Sequence, residues 1–189
     1  MTLPLLASAV LSLVLGSADD STRVKGKVRP DSLRRNTASV AKATRDPAIV
    51  ADSIVVEKAA RRLTLFHRGE PVKVYFVALG RNPVGDKVQR GDLRTPEGLF
   101  TIEARNPVSK YYKALRISYP DVRHASRAAQ MGVSAGGDIM IHGLAQNIAK
   151  LGAGHRLKDW TEGCIAVTNE EIDEIYRAVP VGAPIEIKP

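Results

Sequence analysis

The stretch DWTEGCIAV, residues 159–167, contains the only cysteine of this 189-residue chain. Its polar first half predicts a turn and its apolar second half a strand. Upstream, the run DIMIHG at 138–143 is a short apolar segment that ends in a histidine. A sole thiol cannot form an internal disulfide, whereas a cysteine with a histidine beside it in space makes a nucleophile with its base. The alternative is that Cys164 is a small buried hydrophobe and His142 a hydrogen-bonded core imidazole.

Outward from this stretch, short strands and turns dominate the chain. Apolar and β-branched runs predict strands at 53–58, 62–67, 72–79, 98–103, 115–119, 138–142, 164–168 and 184–188. The turn at 68–70 predicts a hairpin between the second and third of them. We therefore expect a mainly β domain with a few short helices.

One helix has a clear start signal. Thr168 precedes Glu171 by three residues, a capping-box pattern, and apolar residues then recur at helical spacing up to Pro180. Further helices are predicted at 122–131 and 145–151.

The N-terminal quarter of the chain differs in composition from the rest. Residues 1–18 hold an uncharged apolar run that ends in small residues, which predicts a signal peptide or N-terminal anchor, with a loosely packed helix as the alternative. A basic flexible linker is expected at 19–47, where charged residues, Ser, Thr and Pro30 occur without apolar periodicity. The remaining residues, 48–189, are long enough for one domain with a single core.

Composition excludes several classes of function. The formal net charge is +8, yet there is no basic stripe interleaved with aromatic residues, so nucleic acid is not an expected partner. The four histidines are scattered outside any metal-binding spacing, and no phosphate-loop motif is present, so no metal or other cofactor is expected.

Five short motifs, taken in chain order, resemble one family. They are GDK at 85–87, GDLRTPEGLF at 91–100, Tyr119-Pro120, IHG at 141–143 and TEGCI at 161–165. This set is similar to the L,D-transpeptidase catalytic domain, the YkuD type, over about residues 52–188. The resemblance implies a mixed β-sandwich or barrel-like fold with a few short helices. It also implies acyl transfer on peptidoglycan stem peptides. Together with the signal-peptide pattern of residues 1–18, this predicts an exported protein, periplasmic or associated with the cell wall, with no stable membrane span in the mature protein.

Catalytic roles follow from the same resemblance. Cys164 would be the nucleophile and His142 the general base and acid. The backbone carbonyl of Gly143 would orient the imidazole, and backbone N–H groups around Gly163 would form the oxyanion hole.

The chain departs from the commonest family pattern at two positions. Glu162 stands where that pattern has histidine, and Ala166 stands where it has an arginine expected to contact a substrate carboxylate. Basic residues between the histidine and the cysteine are candidates to replace that arginine, unless this segment is only a solvated connection. The predicted substrate-binding residues are Arg156, Lys158, Trp160, Thr161 and Glu162. For Trp160, a packing role is the alternative.

Three functions remain open at this point. Transfer of the acyl group to an amine is the leading hypothesis. Hydrolysis of the same thioester, as a carboxypeptidase or amidase, uses every residue named above. A non-catalytic wall-binding module would have no use for the cysteine and histidine. The sequence does not define an oligomeric state.

Overall fold

A computed structural model describes residues 49–189. The strands are β1 Ser53–Glu57, β2 Arg62–His67, β3 Glu70–Phe76, β4 Gly98–Ser109, β5 Tyr112–Ile117, β6 Met140–His142, β7 Ile165–Ala166 and β8 Pro184–Lys188. The helices are α1 Val122–Gln130, α2 Asn169–Ala178 and a 3-10 segment, Ala149–Leu157. The prediction of a mainly β domain with a few short helices is confirmed.

The strands form one mixed sheet in the order β3-β2-β1-β8-β4-β5-β6-β7. The predicted hairpin joins β2 to β3 through Arg68 and Gly69, which both have positive φ, 54° and 85°. Such a two-residue turn matches the twist of the strands that it connects. The 12-residue β4 pairs with β8 over its first residues and with β5 from Ile102 onward.

The two edges of this sheet are joined by the chain that follows β3. Ala78 and Ala166 exchange backbone hydrogen bonds of 3.0 and 2.8 Å, which brings the continuation of β3 against β7. Thr161 extends this contact, since its N–H donates to the Leu79 carbonyl at 3.1 Å. The sheet is thereby closed in a barrel-like manner, and the turn before Cys164 is held on two sides.

Apolar side chains of the sheet and of α2 make up a single core. Ile172 and Ile175 of α2 are fully buried against it, each worth about 1.5–3 kcal/mol of transfer free energy. The predicted capping box is present, because the Glu171 carboxylate accepts the Thr168 N–H at 2.9 Å and the Thr168 hydroxyl accepts the Glu171 N–H at 3.3 Å.

Some predicted boundaries were wrong. The third strand ends at Phe76 rather than 79, because the chain turns away there to pair with β7. A helix at 145–151 does not form as expected; the 3-10 segment starts at Ala149 and is interrupted at Gly152, whose φ of 48° and ψ of −131° are not helical. Glycine is a poor helix former, and this segment contains two.

The predicted N-terminal signal or anchor and the basic linker lie outside the described residues. Within residues 49–189, no helix has the length and apolar character needed to cross a bilayer.

Candidate active site

Strands β6 and β7 bring His142 and Cys164 to neighbouring positions. The two strands run parallel, with His142 opposite Ala166, so the histidine ends β6 and the cysteine directly precedes β7. Both residues line a cavity of about 560 Å³. The segments 138–143 and 159–167 therefore meet in one place.

The His142 imidazole is held in a fixed orientation. Its Nδ1 lies 2.7 Å from the Gly143 carbonyl oxygen, which accepts a hydrogen bond from Nδ1–H and leaves Nε2 as the basic nitrogen. The Tyr111 ring stacks on the imidazole at 4.3 Å between centroids, and Trp160 meets it edge-on at 5.9 Å. A carbonyl and two aromatic rings thus set the tautomer and the ring plane.

Position 143 accepts only glycine without rearrangement. A Cβ there would lie 2.5 Å from the Asn169 side-chain oxygen and 2.9 Å from a methyl group of Ile172. The same Asn169 oxygen accepts the Leu144 N–H at 2.7 Å. The start of α2 therefore packs directly against the backbone whose carbonyl orients His142.

Burial keeps both reactive groups neutral. It raises the pKa of the Cys164 thiol, although the Met140 N–H and the charge of Lys110 oppose this effect. It lowers the pKa of His142 to about 4, against the opposing effect of the Gly143 carbonyl. At neutral pH the free protein thus holds a thiol, which donates to the Asp138 carbonyl at 3.5 Å, and a neutral imidazole. A thiol in this state would have to lose its proton in order to act as a nucleophile.

Thr161 fixes the turn that carries Cys164. Its hydroxyl accepts the Gly163 N–H at 3.1 Å and donates to the Cys164 carbonyl at 2.7 Å. The residue is 4% exposed, so both hydrogen bonds are sheltered from water.

Gly163 is required in this turn for steric reasons. Its φ is +132°, and a Cβ would lie 2.7 Å from the Arg94 carbonyl oxygen. Because the Gly163 N–H is already bonded to Thr161, the predicted oxyanion role of Gly163 is not supported by a free donor. The N–H of Cys164 itself is the candidate donor in this turn.

The other predicted substrate-binding residues divide into two groups. Thr161 and Glu162 line the cavity, with Glu162 exposed and 3.3 Å from Arg81. Trp160 does not line it; its indole N–H donates to His155 Nδ1 at 3.4 Å while the ring packs on His142. The alternative of a packing role describes Trp160 better.

Arg156 and Lys158 do not line the cavity. Arg156 forms an ion pair with Glu171, the capping residue of α2, and Lys158 is solvent-exposed. Ala166 is fully buried, with its backbone paired to Ala78, so an arginine side chain has no room at this position. A cation in the role of the family's arginine would therefore have to come from another part of the chain.

Three cationic residues that the sequence analysis did not select line the cavity: Lys87, Arg90 and Lys110. Lys87 belongs to the GDK motif, which was the one signal that could have identified it. Its ammonium group is 2.7 Å from Asp92, and the side chain is 3% exposed. Arg90 follows in the same loop, whereas Lys110 lies between β4 and β5, where no motif marks it.

A largely buried cluster of charged residues around Asp86 connects the loop that carries Lys87 and Arg90 to α1. Asp86 accepts the Glu97 N–H at 2.8 Å, lies 3.0 Å from His124 Nε2 and accepts from Arg127 at 2.9 Å. Burial alone would raise the pKa of Asp86, but these hydrogen bonds together lower it. Asp121, the N-cap of α1, holds the other ring nitrogen of His124 at 2.5 Å. Among residues 49–189, no group of three or more His, Cys, Asp or Glu has a metal-binding arrangement.

A closed, mainly β domain with a cysteine and an oriented histidine at adjoining strand ends defines the class of cysteine-nucleophile domains. Residues 51–187 match the family model described as the L,D-transpeptidase catalytic domain, YkuD, so this chain belongs to that family.

Sequence relatives agree with this assignment. YafK of Escherichia coli K12, whose naming as an L,D-transpeptidase is itself provisional, is 30% identical over 132 residues, 67% of this chain. The similarly named YqjB of Bacillus subtilis 168 is 28% identical over 137 residues, 71% of this chain and 69% of YqjB. This chain covers only 46% of YafK, about half of that protein.

Solved structures show the same fold. The helical cell shape determining protein Pgp2 from Campylobacter jejuni, as its K307A mutant, has a TM-score of 0.55 and 25% identity over 74% of this chain and 47% of Pgp2. Bd1075 from Bdellovibrio bacteriovorus has a TM-score of 0.53 and 20% identity, covering 76% of this chain and 49% of Bd1075. The prediction of the family from the five motifs is confirmed.

Proposed function

We propose that this protein catalyses L,D-transpeptidation of peptidoglycan stem peptides through a thioester on Cys164. The observation that supports this most directly is the placement of Cys164 and His142 in one cavity, with His142 Nδ1 bonded to the Gly143 carbonyl. Family membership supplies the substrate class. We further propose that the protein acts outside the cytoplasm, where peptidoglycan is found, and that the catalytic domain is residues 48–189.

In the first half-reaction, Cys164 Sγ attacks the carbonyl that joins the stem to its terminal D-residue. His142 Nε2 takes the thiol proton, and the Cys164 N–H stabilises the oxyanion of the tetrahedral intermediate. When the intermediate collapses, the C–N bond breaks and His142 returns the proton to the leaving amine. The product is a thioester, and His142 is neutral again.

In the second half-reaction, an amine of another stem attacks the thioester. His142 accepts the amine proton, the C–S bond breaks, and the proton passes to the departing sulfur. The free thiol is regenerated and a new amide links the two stems. Aminolysis requires an unprotonated amine, and a neutral imidazole with a pKa of about 4 does not repel an incoming cationic amine as an imidazolium would.

Hydrolysis of the same thioester is the second candidate. The Glu162 carboxylate lines the cavity with 82% of its side chain exposed, in a position where the family's commonest pattern has histidine. A carboxylate can accept a proton from an attacking water, so Glu162 is the residue that would direct the second half-reaction toward hydrolysis.

Purified protein incubated with tetrapeptide muropeptides separates these outcomes by product mass. Transpeptidation gives cross-linked dimers with loss of the terminal D-residue, whereas hydrolysis gives tripeptide monomers. Cys164→Ala should give neither product, and a carbapenem should add one equivalent of mass to the wild type alone. Product formation by Cys164→Ala would refute the thioester, and muropeptide binding without either product would indicate a wall-binding module.

A further inference from the structure

We propose that Arg90 and Lys110 form a carboxylate-binding subsite in the cavity of Cys164, which selects acyl donors by a free carboxylate close to the scissile carbonyl. The inference builds on the proposed function and assigns the cation that Ala166 cannot supply.

Charge pairing singles out these two residues. Five charged side chains line the cavity, namely Lys87, Arg90, Lys110, Asp138 and Glu162. Three of them have protein partners: Lys87 is 2.7 Å from Asp92, Asp138 is 3.7 Å from Arg116, and Glu162 is 3.3 Å from Arg81. In the part of the chain that the structure describes, neither Arg90 nor Lys110 has a carboxylate within 4.0 Å.

The backbone of Arg90 is firmly placed although its side chain has no ionic partner. Its N–H donates to the Ser134 carbonyl at 2.7 Å, and Gly136 packs so closely that a Cβ there would lie 3.4 Å from the Arg90 Cα. The 134–138 segment also provides the Asp138 carbonyl, which accepts a hydrogen bond from the Cys164 thiol at 3.5 Å. One short segment therefore contacts both the thiol and the arginine backbone.

Lys110 is placed from the other side, by the aromatic residues around the imidazole. Its ammonium group lies 5.0 Å from the centre of the Tyr111 ring, and that ring stacks on His142. Its positive charge adds to the lowering of the His142 pKa and partly offsets the effect of burial, which raises the pKa of Cys164. A substrate group bound by Lys110 would thus lie near the reacting atoms.

The chemistry of the two side chains favours a carboxylate. A guanidinium binds a carboxylate through two parallel N–H···O bonds, and an ammonium adds a point charge without a fixed direction. A hydrogen bond to a charged group contributes about 1.5–3 kcal/mol, which is roughly a tenfold to hundredfold preference over a neutral analogue.

Alkylation of Cys164 measures this preference without any transpeptidation. Iodoacetate and iodoacetamide both alkylate sulfur through a CH₂ carbon. They differ only in that the first carries a carboxylate and the second a neutral amide. The ratio of their rate constants at one pH cancels differences in thiolate fraction between variants. We expect Arg90→Gln with Lys110→Gln to lower the iodoacetate-to-iodoacetamide ratio about tenfold relative to wild type. Arg177→Gln, which removes one exposed charge on α2, is the matched control and should leave the ratio unchanged.

A second measurement uses substrate-like ligands. A stem tetrapeptide with free carboxylates should protect Cys164 from iodoacetamide at lower concentration than the same peptide with amidated carboxylates, and the double variant should lose this difference. An unchanged ratio and undiminished selectivity in the double variant would overturn the subsite. The subsite would also be overturned if the iodoacetate-to-iodoacetamide ratio fell in a Lys150→Gln, Lys158→Gln double variant instead. The 143–163 segment would then supply the cation. If the Arg90 and Lys110 double variant shows the expected fall in the ratio but the wild type forms no muropeptide products, the subsite is supported and only the proposed function is refuted.

Discussion

At the scale of single residues, the position of Cys164 depends on one hydroxyl group. The Thr161 hydroxyl satisfies the Gly163 N–H and the Cys164 carbonyl, the backbone groups on either side of the reacting residue. Valine has nearly the shape of threonine but can make neither bond. Thr161→Val leaves a buried N–H without a partner, which costs about 1–3 kcal/mol of folding free energy.

We expect Thr161→Val to reduce acyl transfer at least tenfold while the domain remains folded, because even small misplacement of a reacting group slows the reaction strongly. Thr161→Ser keeps the hydroxyl and should retain most of the activity. Denaturant unfolding and product formation test both variants. Equal activity of the valine and serine variants would show that the turn does not need this hydroxyl.

The neutral state of the Cys164–His142 pair has a consequence for reactivity. The pKa of the thiol is raised by burial and that of His142 is lowered to about 4, so no thiolate–imidazolium pair forms near neutral pH. Iodoacetamide reacts with the thiolate. We therefore expect the rate of Cys164 alkylation to rise continuously from pH 6 to pH 9. The rate is measured by quenching the reaction at intervals and determining the alkylated fraction by mass spectrometry. A level rate across this range would mean that an ion pair exists already in the free protein.

The role of a site residue could be predicted from the sequence only where the residue belongs to a recognisable motif. His142, Gly143, Thr161 and Cys164 come from two compact motifs, and the structure brings them together. Arg156 is close to Cys164 in sequence, which predicted a substrate-binding role, yet its side chain forms an ion pair with Glu171. Lys110 belongs to a distant hairpin, and only the pairing of β5 with β6 brings that hairpin to the histidine.

At the scale of elements, the loop with Lys87 and Arg90 depends on α1. Asp86 connects the loop to His124 and Arg127 of the helix, and the cluster is largely buried. Removing the Asp86 charge leaves buried donors without their ionic partner, so we expect Asp86→Asn to lower the free energy of unfolding by about 1–3 kcal/mol at pH 6.

The contribution of Asp86 to the free energy of unfolding should depend on pH. The folded pKa of Asp86 is below its ordinary value, so its contribution is complete above about pH 4 and is lost as the pH falls toward the folded pKa. Urea unfolding at pH 5 and pH 3 should therefore show a difference between wild type and Asp86→Asn that shrinks at the lower pH. A constant difference would mean that ionisation of Asp86 plays no part in the contact.

Local elements were predictable because local physics determines them. The Thr168–Glu171 capping box and the two-residue turn at Arg68 and Gly69 both appear as the sequence indicates. The closing contact between Ala78 and Ala166 has no local signal, since it joins two segments far apart in the chain through backbone groups alone. Strand ends at Phe76 and Ala166 depend on that contact, which is why they were misplaced.

At the scale of the whole molecule, the described domain collects its core from nearly its entire length. Buried apolar residues extend from Ala51 to Ile187, and β1 and β8 lie side by side in the middle of the sheet. Both ends of the domain are therefore central to its stability. Residues 19–47, by contrast, lack an apolar pattern that would contribute to such a core.

This contrast predicts where the chain can be shortened. A chain that begins at residue 48 keeps Ile49, which packs on the core, and Ala51, whose N–H donates to the Ala178 carbonyl at 3.1 Å. We expect it to unfold cooperatively on heating and to retain the alkylation rate of Cys164. A chain that begins at residue 54 loses Ala51, which is 1% exposed, together with the Asp52 carboxylate that accepts the Arg68 N–H at 2.6 Å. It should melt at a clearly lower temperature, because it loses a buried apolar residue and at least three hydrogen bonds, the third being the one that the Asp52 N–H donates to the Phe66 carbonyl at 2.9 Å. If the longer of the two shortened chains also loses cooperative unfolding, residues before 48 belong to the folded core, and the proposed domain boundary is wrong.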